Sequence, residues 1–406
     1  MIFDGHQQKA IDNLLKPGKL SVLTGAAGCG KTTILRELIS QLNQLHNKVI
    51  LCAAPTGKAA KVMEEVLQGL DVEPMTIHRL LGCQGPGIWT YNENNKLNAD
   101  TVIIDESSMV DSELLARVVD GVSDKCKIIL VGDKNQLPPV SAGCPFRDIC
   151  NQKKYGAIVN RLVINYRQQQ GSLIAHACDH ILKKEKIQFG TPNTKTLGGS
   201  LKDDLFFIEL EDKELIPTHI LKLCREWHSS GVDYQILSPQ HSGVCGVENL
   251  NKYLQGKLNP AINNKPEKKI SAFLTLRLSD KVINKKNNYK LDIFNGYVGI
   301  ITGISVEGEL TIDFDGQVVV FQDNKDLKYL KLAYCLTIHS SQGSEYSKGI
   351  VVCHSSHYYM LSNSLLYVAV SRFRDELHIV GNSKGLNRAI NNSTSDQRKT
   401  FLADAL

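Results

Sequence analysis

The sequence predicts an α/β chain of two domains, each built on a parallel sheet. A small β-hairpin interrupts the first domain and a small β-barrel interrupts the second. Three observations carry this prediction. Apolar runs at 20–23, 48–54, 101–104 and 127–131 lack polar alternation, as parallel strands covered on both faces do. Turn residues and helical patterns separate these runs, the arrangement of a doubly wound sheet. At 295–303 and 309–320 the pattern changes to short alternating strands with turns between them, the mark of antiparallel pairing.

The first run leads into Gly25-Ala26-Ala27-Gly28-Cys29-Gly30-Lys31-Thr32, which fits G-x-x-x-x-G-K-[ST]. Its flanks suit a phosphate-binding loop. Leu20–Leu23 is a strand, and from Thr33 onward Ile34, Leu35, Leu38, Ile39, Leu42 and Leu45 fall on one helical face. Glycines permit positive φ and turn successive N–H groups toward phosphate oxygens, and the helix N-terminus adds partial positive charge. Lys31 can reach the β- and γ-phosphates of a nucleoside triphosphate, and the Thr32 hydroxyl can hold Mg²⁺.

Composition bounds the rest. The chain has 406 residues, room for two or three domains, and a formal net charge of +5, which permits a polyanionic partner without demanding one. Its eleven cysteines include no C-x-x-C pair, the usage of reduced thiols in a cytosolic protein. His176, Cys178 and His180 have a metal-like spacing but read as a polar helix face. The N-terminus has no signal-peptide pattern, and no apolar run approaches the ~20 residues of a membrane span. A soluble, cytoplasmic protein is expected.

In chain order, Phe3–Leu15 predicts a short helix that contains Gln7, whose amide is either a surface group or a reader of an adenine edge. Lys48–Ala54 predicts a buried strand, and Ala59–Leu67 a helix with Val62, Met63, Val66 and Leu67 inward. Thr56 and Lys58 lie between them, at the carboxyl edge of the sheet. There a hydroxyl and an ammonium can cap the helix or hold a phosphate. Gly82–Asn98 is rich in Gly, Pro and Asn and predicts a hairpin. Trp89 on it either stacks on a base or folds back as a local core plug. Thr101–Ile104 ends in Asp105-Glu106. The first suits the Mg²⁺ shell and the second suits orienting and deprotonating water. Gln136 follows the 127–131 strand, where it can sense a γ-phosphate.

These segments together resemble a known family. Gly25–Thr33, Ala54–Ala60 (with "PTGKA"), Thr76–Leu81 ("TIHRLL"), Asp105–Met109 ("DESSM") and Gly132–Val140 ("GDKNQLPPV") resemble the ordered motifs of superfamily 1 helicases, specifically the RecD/Dda branch. Arg161–Arg167, Thr337–Glu345 and Tyr367–Arg372 resemble the later motifs. The resemblance implies two RecA-like domains, 1–155 and 156–284 with 331–406. It implies a strand-separating pin at 82–98 and an SH3-like barrel at 285–330. ATP would be bound by Gln7, Gly25, Ala26, Ala27, Gly28, Cys29, Gly30, Lys31, Thr32 and Thr33, with Thr32 and Asp105 on Mg²⁺. Catalysis would fall to Lys31, Asp105, Glu106 and Gln136 on one lip of a cleft, and to Arg167 and Arg372 on the other. Thr56, Lys58, His78, Trp89, Pro138, Thr337 and His339 would touch DNA. One departure stands out: many relatives carry a basic residue where this chain has Ser340.

The function implied is that of an ATP-dependent DNA helicase or translocase. It would act as a monomer on single-stranded DNA and on single-strand/duplex junctions, moving 5′ to 3′, in bacterial or phage-infected cytosol, with replication or recombination proteins as partners and no membrane. The competing readings are a nucleic-acid-stimulated ATPase that serves as a binding or remodelling subunit, and an RNA helicase.

Overall fold

The computed structural model describes residues 3–45, 48–85, 87–151, 157–166, 171–190, 202–262, 265–288 and 290–393. The chain divides into two compact units, Met1–Ala175 with Ser393–Leu406, and His176–Asn392.

The first unit contains β1 (Leu20–Gly25), β2 (Ile50–Ala54), β3 (Met75–Thr76), the hairpin strands β4 (Cys83–Gly85) and β5 (Ile88–Trp89), β6 (Thr101–Ile104), β7 (Lys127–Gly132) and β8 (Ile158–Leu162). Six of these form one parallel sheet in the order β3-β2-β6-β7-β1-β8. Successive side chains of a strand point to opposite faces, and both faces are covered. Leu23, Ile103, Ile129 and Val131 pack into one core cluster with Ile34, Leu35, Leu38 and Ile39. Val22, Val102, Ile104, Ile128 and Leu130 pack into another. The sheet core therefore needs apolar residues at every position, which is why the sequence shows no alternation there.

Helix α1 (Gly5–Leu15) begins at a capping box. The Asp4 carboxylate accepts from the backbone N–H groups of His6 and Gln7, and the Gln7 amide oxygen accepts from the Asp4 N–H. Helix α2 (Lys31–Asn43) buries Ile34, Leu35, Leu38, Ile39 and Leu42, each contributing about 1.5–3 kcal/mol. Leu45 lies past the end of that helix and is exposed, so the apolar stripe stops one turn earlier than its spacing predicted. Helix α3 (Gly57–Leu67) is capped by Thr56, whose hydroxyl accepts from the Ala59 N–H at 3.2 Å. Met63 and Leu67 are buried, but Val62 faces solvent, contrary to its predicted inward position.

The second unit has its own parallel sheet. Its strands are β9 (Leu205–Glu209), β10 (Tyr234–Ser238), β18 (Cys335–Thr337), β19 (Tyr346–Cys353) and β20 (Phe373–Gly381), in the order β18-β10-β19-β20-β9. Between β10 and β18 come the hairpin β11 (Glu267–Ser271) and β12 (Leu274–Arg277), then β13 (Lys281–Asn284), β14 (Val298–Ile304), β15 (Leu310–Phe314), β16 (Gln317–Phe321) and β17 (Leu330–Leu332). The last five form an antiparallel sheet, β16-β15-β14-β13-β17, around Val282, Ile301, Ile312, Phe314 and Phe321. The buried Asp280 carboxylate just before β13 accepts from Gln255, Asn259, Tyr334 and the Arg277 N–H. These bonds offset the cost of burying its charge.

Element boundaries differ from expectation in three places. Ile158–Leu162, expected in the second domain, pairs in parallel with β1 of the first sheet from Ser21↔Ile158 to Gly25↔Leu162, and the two compact units divide between Ala175 and His176. The strand expected at Arg161–Arg167 starts earlier and ends at Leu162, and Arg161 turns its guanidinium to the Cys150 carbonyl at 2.6 Å. The small β-structure begins before 285, because Lys281–Asn284 pairs with both β14 and β17, and that pairing carries its last strand past 330. Much of the Lys- and Gly-rich stretch at 178–202 lies outside the described residues; Cys178 and His180 sit on the helix Leu173–Lys183.

Among the described residues no helix is long and apolar enough to cross a membrane. All eleven cysteines are free thiols, and of these Cys83 alone is exposed.

Candidate nucleotide and nucleic-acid sites

The loop from β1 to α2 takes the shape its glycines allow. Gly28 and Gly30 have φ of 83° and 78°, and Gly30 serves as the left-handed N-cap of α2. The Lys31 ammonium donates to the carbonyls of Gly25 at 2.7 Å and Ala26 at 3.0 Å, so it lies folded along its own loop. Thr32 and Thr33 are in the first helical turn, and Cys29 is buried beneath. Gln7 is brought to this loop from α1: a Cβ on Gly30 would lie 2.7 Å from the Gln7 amide nitrogen.

Two residues that sequence reasoning did not single out also reach the loop. The Asn165 side-chain amide donates to the Ala27 carbonyl at 3.1 Å, and the Tyr166 N–H donates to the Gly28 carbonyl at 3.2 Å. The Tyr166 hydroxyl donates to the Asp4 carboxylate. That contact lowers the Asp4 pKa, together with the capping N–H bonds, and burial and Asp4 raise the phenol to about 12. Both residues stand in the Arg161–Arg167 segment, where nothing in their spacing marks them. Arg167 itself lies outside the described residues.

The strands β6, β1 and β7 are parallel neighbours, so their carboxyl ends share an edge. Asp105 and Glu106 leave β6 there, Gln136 follows β7, and the phosphate loop follows β1. The Asp105 N–H donates to the Ala53 carbonyl at 2.9 Å, and the Glu106 N–H donates to the Asp105 carboxylate at 2.8 Å. Burial, then the adjacent Glu106 charge, raises the Asp105 pKa; the Glu106 N–H and Lys31 oppose the rise. Glu106 has φ of 49°, a left-handed conformation that costs a non-glycine residue about 1–3 kcal/mol and recurs at functional sites. One Glu106 carboxylate oxygen and the Gln136 amide oxygen are buried without a hydrogen-bond partner. Two oxygens left unpaired in this way suit a bound cation, a water or a polar ligand. Thr32 lies in the first turn of α2, after β1, and Asp105 directly follows the end of β6.

The remaining first-unit candidates lie at or beyond the same edge. Thr56 is occupied as a helix cap. His78 is exposed in the short helix Ile77–Leu80 after β3, and Pro138 is half-buried. Trp89 does not project as an open platform. Its ring packs against the core cluster and lies 5.5 Å from the His78 ring, and its indole N–H is buried without an acceptor. The register of the two-stranded hairpin, Cys83↔Trp89 and Gly85↔Ile88, turns alternate residues to opposite faces. Ile88 is therefore the exposed apolar side chain of the hairpin.

In the second unit, Thr337 ends β18 and is buried, with its hydroxyl 2.8 Å from the Ser340 hydroxyl and accepting from the Ser340 N–H. His339 is exposed at its surface. Desolvation by its surroundings and the neighbouring His241 nevertheless hold its imidazole below the usual range. Arg372 is buried at the end of helix Asn363–Ser371, and its guanidinium donates to the carbonyls of Val368 and Ser344 and to the Ser371 hydroxyl. These bonds are made within its own unit.

Comparison with known proteins fixes the family. Residues 3–191 match the AAA domain, 250–314 the ATP-dependent RecD-like DNA helicase SH3 domain, and 332–380 the UvrD-like helicase C-terminal domain. An ATP-dependent RecD2 DNA helicase of Deinococcus radiodurans is 33% identical over 378 residues, 93% of this chain and 49% of that protein. This chain belongs to the RecD-like helicase family. A RecBCD enzyme subunit RecD of Buchnera aphidicola is 27% identical over 447 residues, covering 93% of this chain and 72% of that one. The chain thus spans about half the length of its RecD2 relative (49%) and somewhat more of the RecD subunit. Two solved structures share the fold of this RecD-like chain. Bacteroides Pif1 bound to ssDNA has a TM-score of 0.59 at 22% identity, covering 96% of this chain and 94% of that one. Bacteroides Pif1 helicase with ADP-AlF3 and ssDNA has a TM-score of 0.60 at 23% identity, covering 98% and 96%.

Proposed function

We propose that this chain is an ATP-dependent DNA translocase and helicase that moves on single-stranded DNA, 5′ to 3′, and opens duplex at a junction. The observation that carries the reading is the shared edge of β1, β6 and β7, where Lys31, Glu106 and Gln136 stand with two buried oxygens unpaired. Backbone N–H groups of residues 28–32 would cradle the phosphates, and Lys31 would exchange its carbonyls for phosphate oxygens. Thr32 and Asp105 would hold Mg²⁺, which supplies charge neutralisation at the phosphates when bound. Glu106 would orient and deprotonate the attacking water, with Gln136 beside it. Gln7 would read the adenine edge. Arg167 and Arg372 would supply cationic stabilisation, Arg372 by giving up part of its present bonding to Ser344 and Ser371.

Thr56, Lys58, His78, Pro138, Thr337 and His339 would contact the strand, largely without regard to sequence. The RecD2 relative, a DNA helicase, and Pif1 neighbours solved for unwinding at forked dsDNA and bound to ssDNA support DNA as the substrate. The deciding experiment is ATP-dependent unwinding of duplexes with 5′ or 3′ tails, in DNA and RNA versions. Unwinding of the 5′-tailed DNA duplex is expected. ATP hydrolysis stimulated by DNA without strand separation would instead favour a second reading, an ATPase subunit of a larger assembly. That reading is motivated by relatives named as RecBCD subunits.

A further inference from the structure

The loop after β18, Thr337–Glu345, contains no lysine or arginine and so no permanent side-chain cation of its own. The structure supplies one from elsewhere in the same unit. Lys285, the residue after β13, donates from its ammonium to the Ser340 hydroxyl at 3.1 Å. Ser340 in turn lies 2.8 Å from the Thr337 hydroxyl. The Lys285 backbone is held in place, its N–H donating to the Tyr329 carbonyl at 2.9 Å.

Lys285 is half-buried, and among the described residues it makes no ion pair with a carboxylate. Removing an ammonium from water without a counter-charge is unfavourable, and desolvation lowers its pKa accordingly. Its ammonium meets the neutral Ser340 hydroxyl, which in turn meets the Thr337 hydroxyl. Both can turn their protons toward an incoming oxygen. The surroundings are cationic: Lys286 bonds the Tyr329 hydroxyl at 3.2 Å and lies 4.6 Å from its ring centre, and Lys328 lies 5.0 Å from the same ring. The neighbouring Asp326 is engaged by the Asn288 amide at 3.0 Å.

We propose that Lys285, Ser340 and Thr337 form a phosphodiester site in which the small β-sheet supplies the cation missing from the Ser340 loop. The site deepens the reading of the chain as a single-stranded DNA motor and rests on it. One ammonium and two hydroxyls would hold one backbone phosphate. The small sheet then acts directly in gripping the strand.

The test is the salt dependence of binding to a fluorescein-labelled oligothymidylate, measured on the full chain by anisotropy. Each phosphate contact contributes a slope of about 0.7 in log K against log salt for a single strand, roughly a threefold change in affinity across fourfold salt. Lys285→Met keeps the aliphatic stem and should lower the slope by about one contact. Lys285→Met/Ser340→Lys should restore it by returning one ammonium to the loop. Lys285→Gln serves as a second neutral variant, and thermal melting of each checks folding. The proposal is overturned if both neutral variants keep the wild-type slope, or if they only lose stability. Failure of the wild-type chain itself to bind the oligonucleotide would instead overturn the motor reading.

Discussion

Replacing Gly30 with Ala separates two costs that coincide at the phosphate loop. The first is backbone. At φ of 78° an L-residue is strained by about 1–2 kcal/mol. Gly69, with φ of 85° and open space around its missing Cβ, carries the same backbone cost and nothing else. Gly69→Ala should therefore lower the melting temperature of a unit this size by roughly 2–4 °C per kcal/mol. Gly30→Ala adds a second cost, because its methyl would fall 2.7 Å from the Gln7 amide nitrogen. That amide is the end of a flexible side chain, so it moves while the backbone stays. The move breaks the Gln7 half of the capping box, worth about 0.5–1 kcal/mol, and displaces the proposed adenine reader. Loss of a bidentate amide–adenine pair is worth about 1–3 kcal/mol. ATP affinity should thus fall by roughly tenfold or more, with little change for a nucleotide whose base cannot pair with that amide. Fluorescent-nucleotide titration and calorimetric melting of both variants decide it. If Gly30→Ala binds ATP as wild type does, or loses affinity equally for every base, Gln7 has no role in reading the nucleotide.

Three further predictions follow from the same geometry. Lys31→Ala should reduce ATP hydrolysis by at least about 10²-fold while binding to single strands survives; turnover near wild type in a coupled phosphate-release assay would refute the site. Trp89→Ala should destabilise the first unit by roughly 2 kcal/mol through lost packing, whereas Ile88→Asp should leave its melting temperature unchanged and impair strand separation. The reverse pattern would return the wedge role to Trp89. His357 is buried, its pKa lowered to about 4 by burial and then by His354. Because the unfolded imidazole still titrates near its usual 6.5, stability present above that pH is lost as pH falls toward 4, by about 3 kcal/mol at pH 4. Denaturant unfolding at pH 7 and pH 4 should show that loss, and His357→Gln should remove its share.

Much of this arrangement was legible because it rests on local rules. The helix that carries Gln7, the Gly28 and Gly30 turns and the β6 run into Asp105-Glu106 are set by residues close in sequence. The resemblance of the ordered motifs also held at the level of the family. What was not legible depends on pairing between distant segments. Ile158–Leu162 contains Asn160 and Arg161 and has no pattern that assigns it to a sheet; only its parallel register with β1 places it in the first. Lys281–Asn284 and Lys285 gain meaning from β17 and Ser340, each about fifty positions away. Trp89 and Ile88 differ in exposure because of hairpin register, which a Gly- and Pro-rich turn leaves open.

The distribution of thiols has a practical consequence. Burial pushes the Cys126 and Cys150 thiols up to about 11, and those of Cys52, Cys224, Cys245 and Cys353 to about 12. They are thereby both shielded and protonated against alkylating reagents. Cys83 is exposed and sits on the hairpin strand opposite Trp89. The unmodified chain accordingly carries a natural attachment point for a single maleimide dye, next to an indole that can quench it. Hairpin movement during turnover can then be followed by fluorescence in the native sequence.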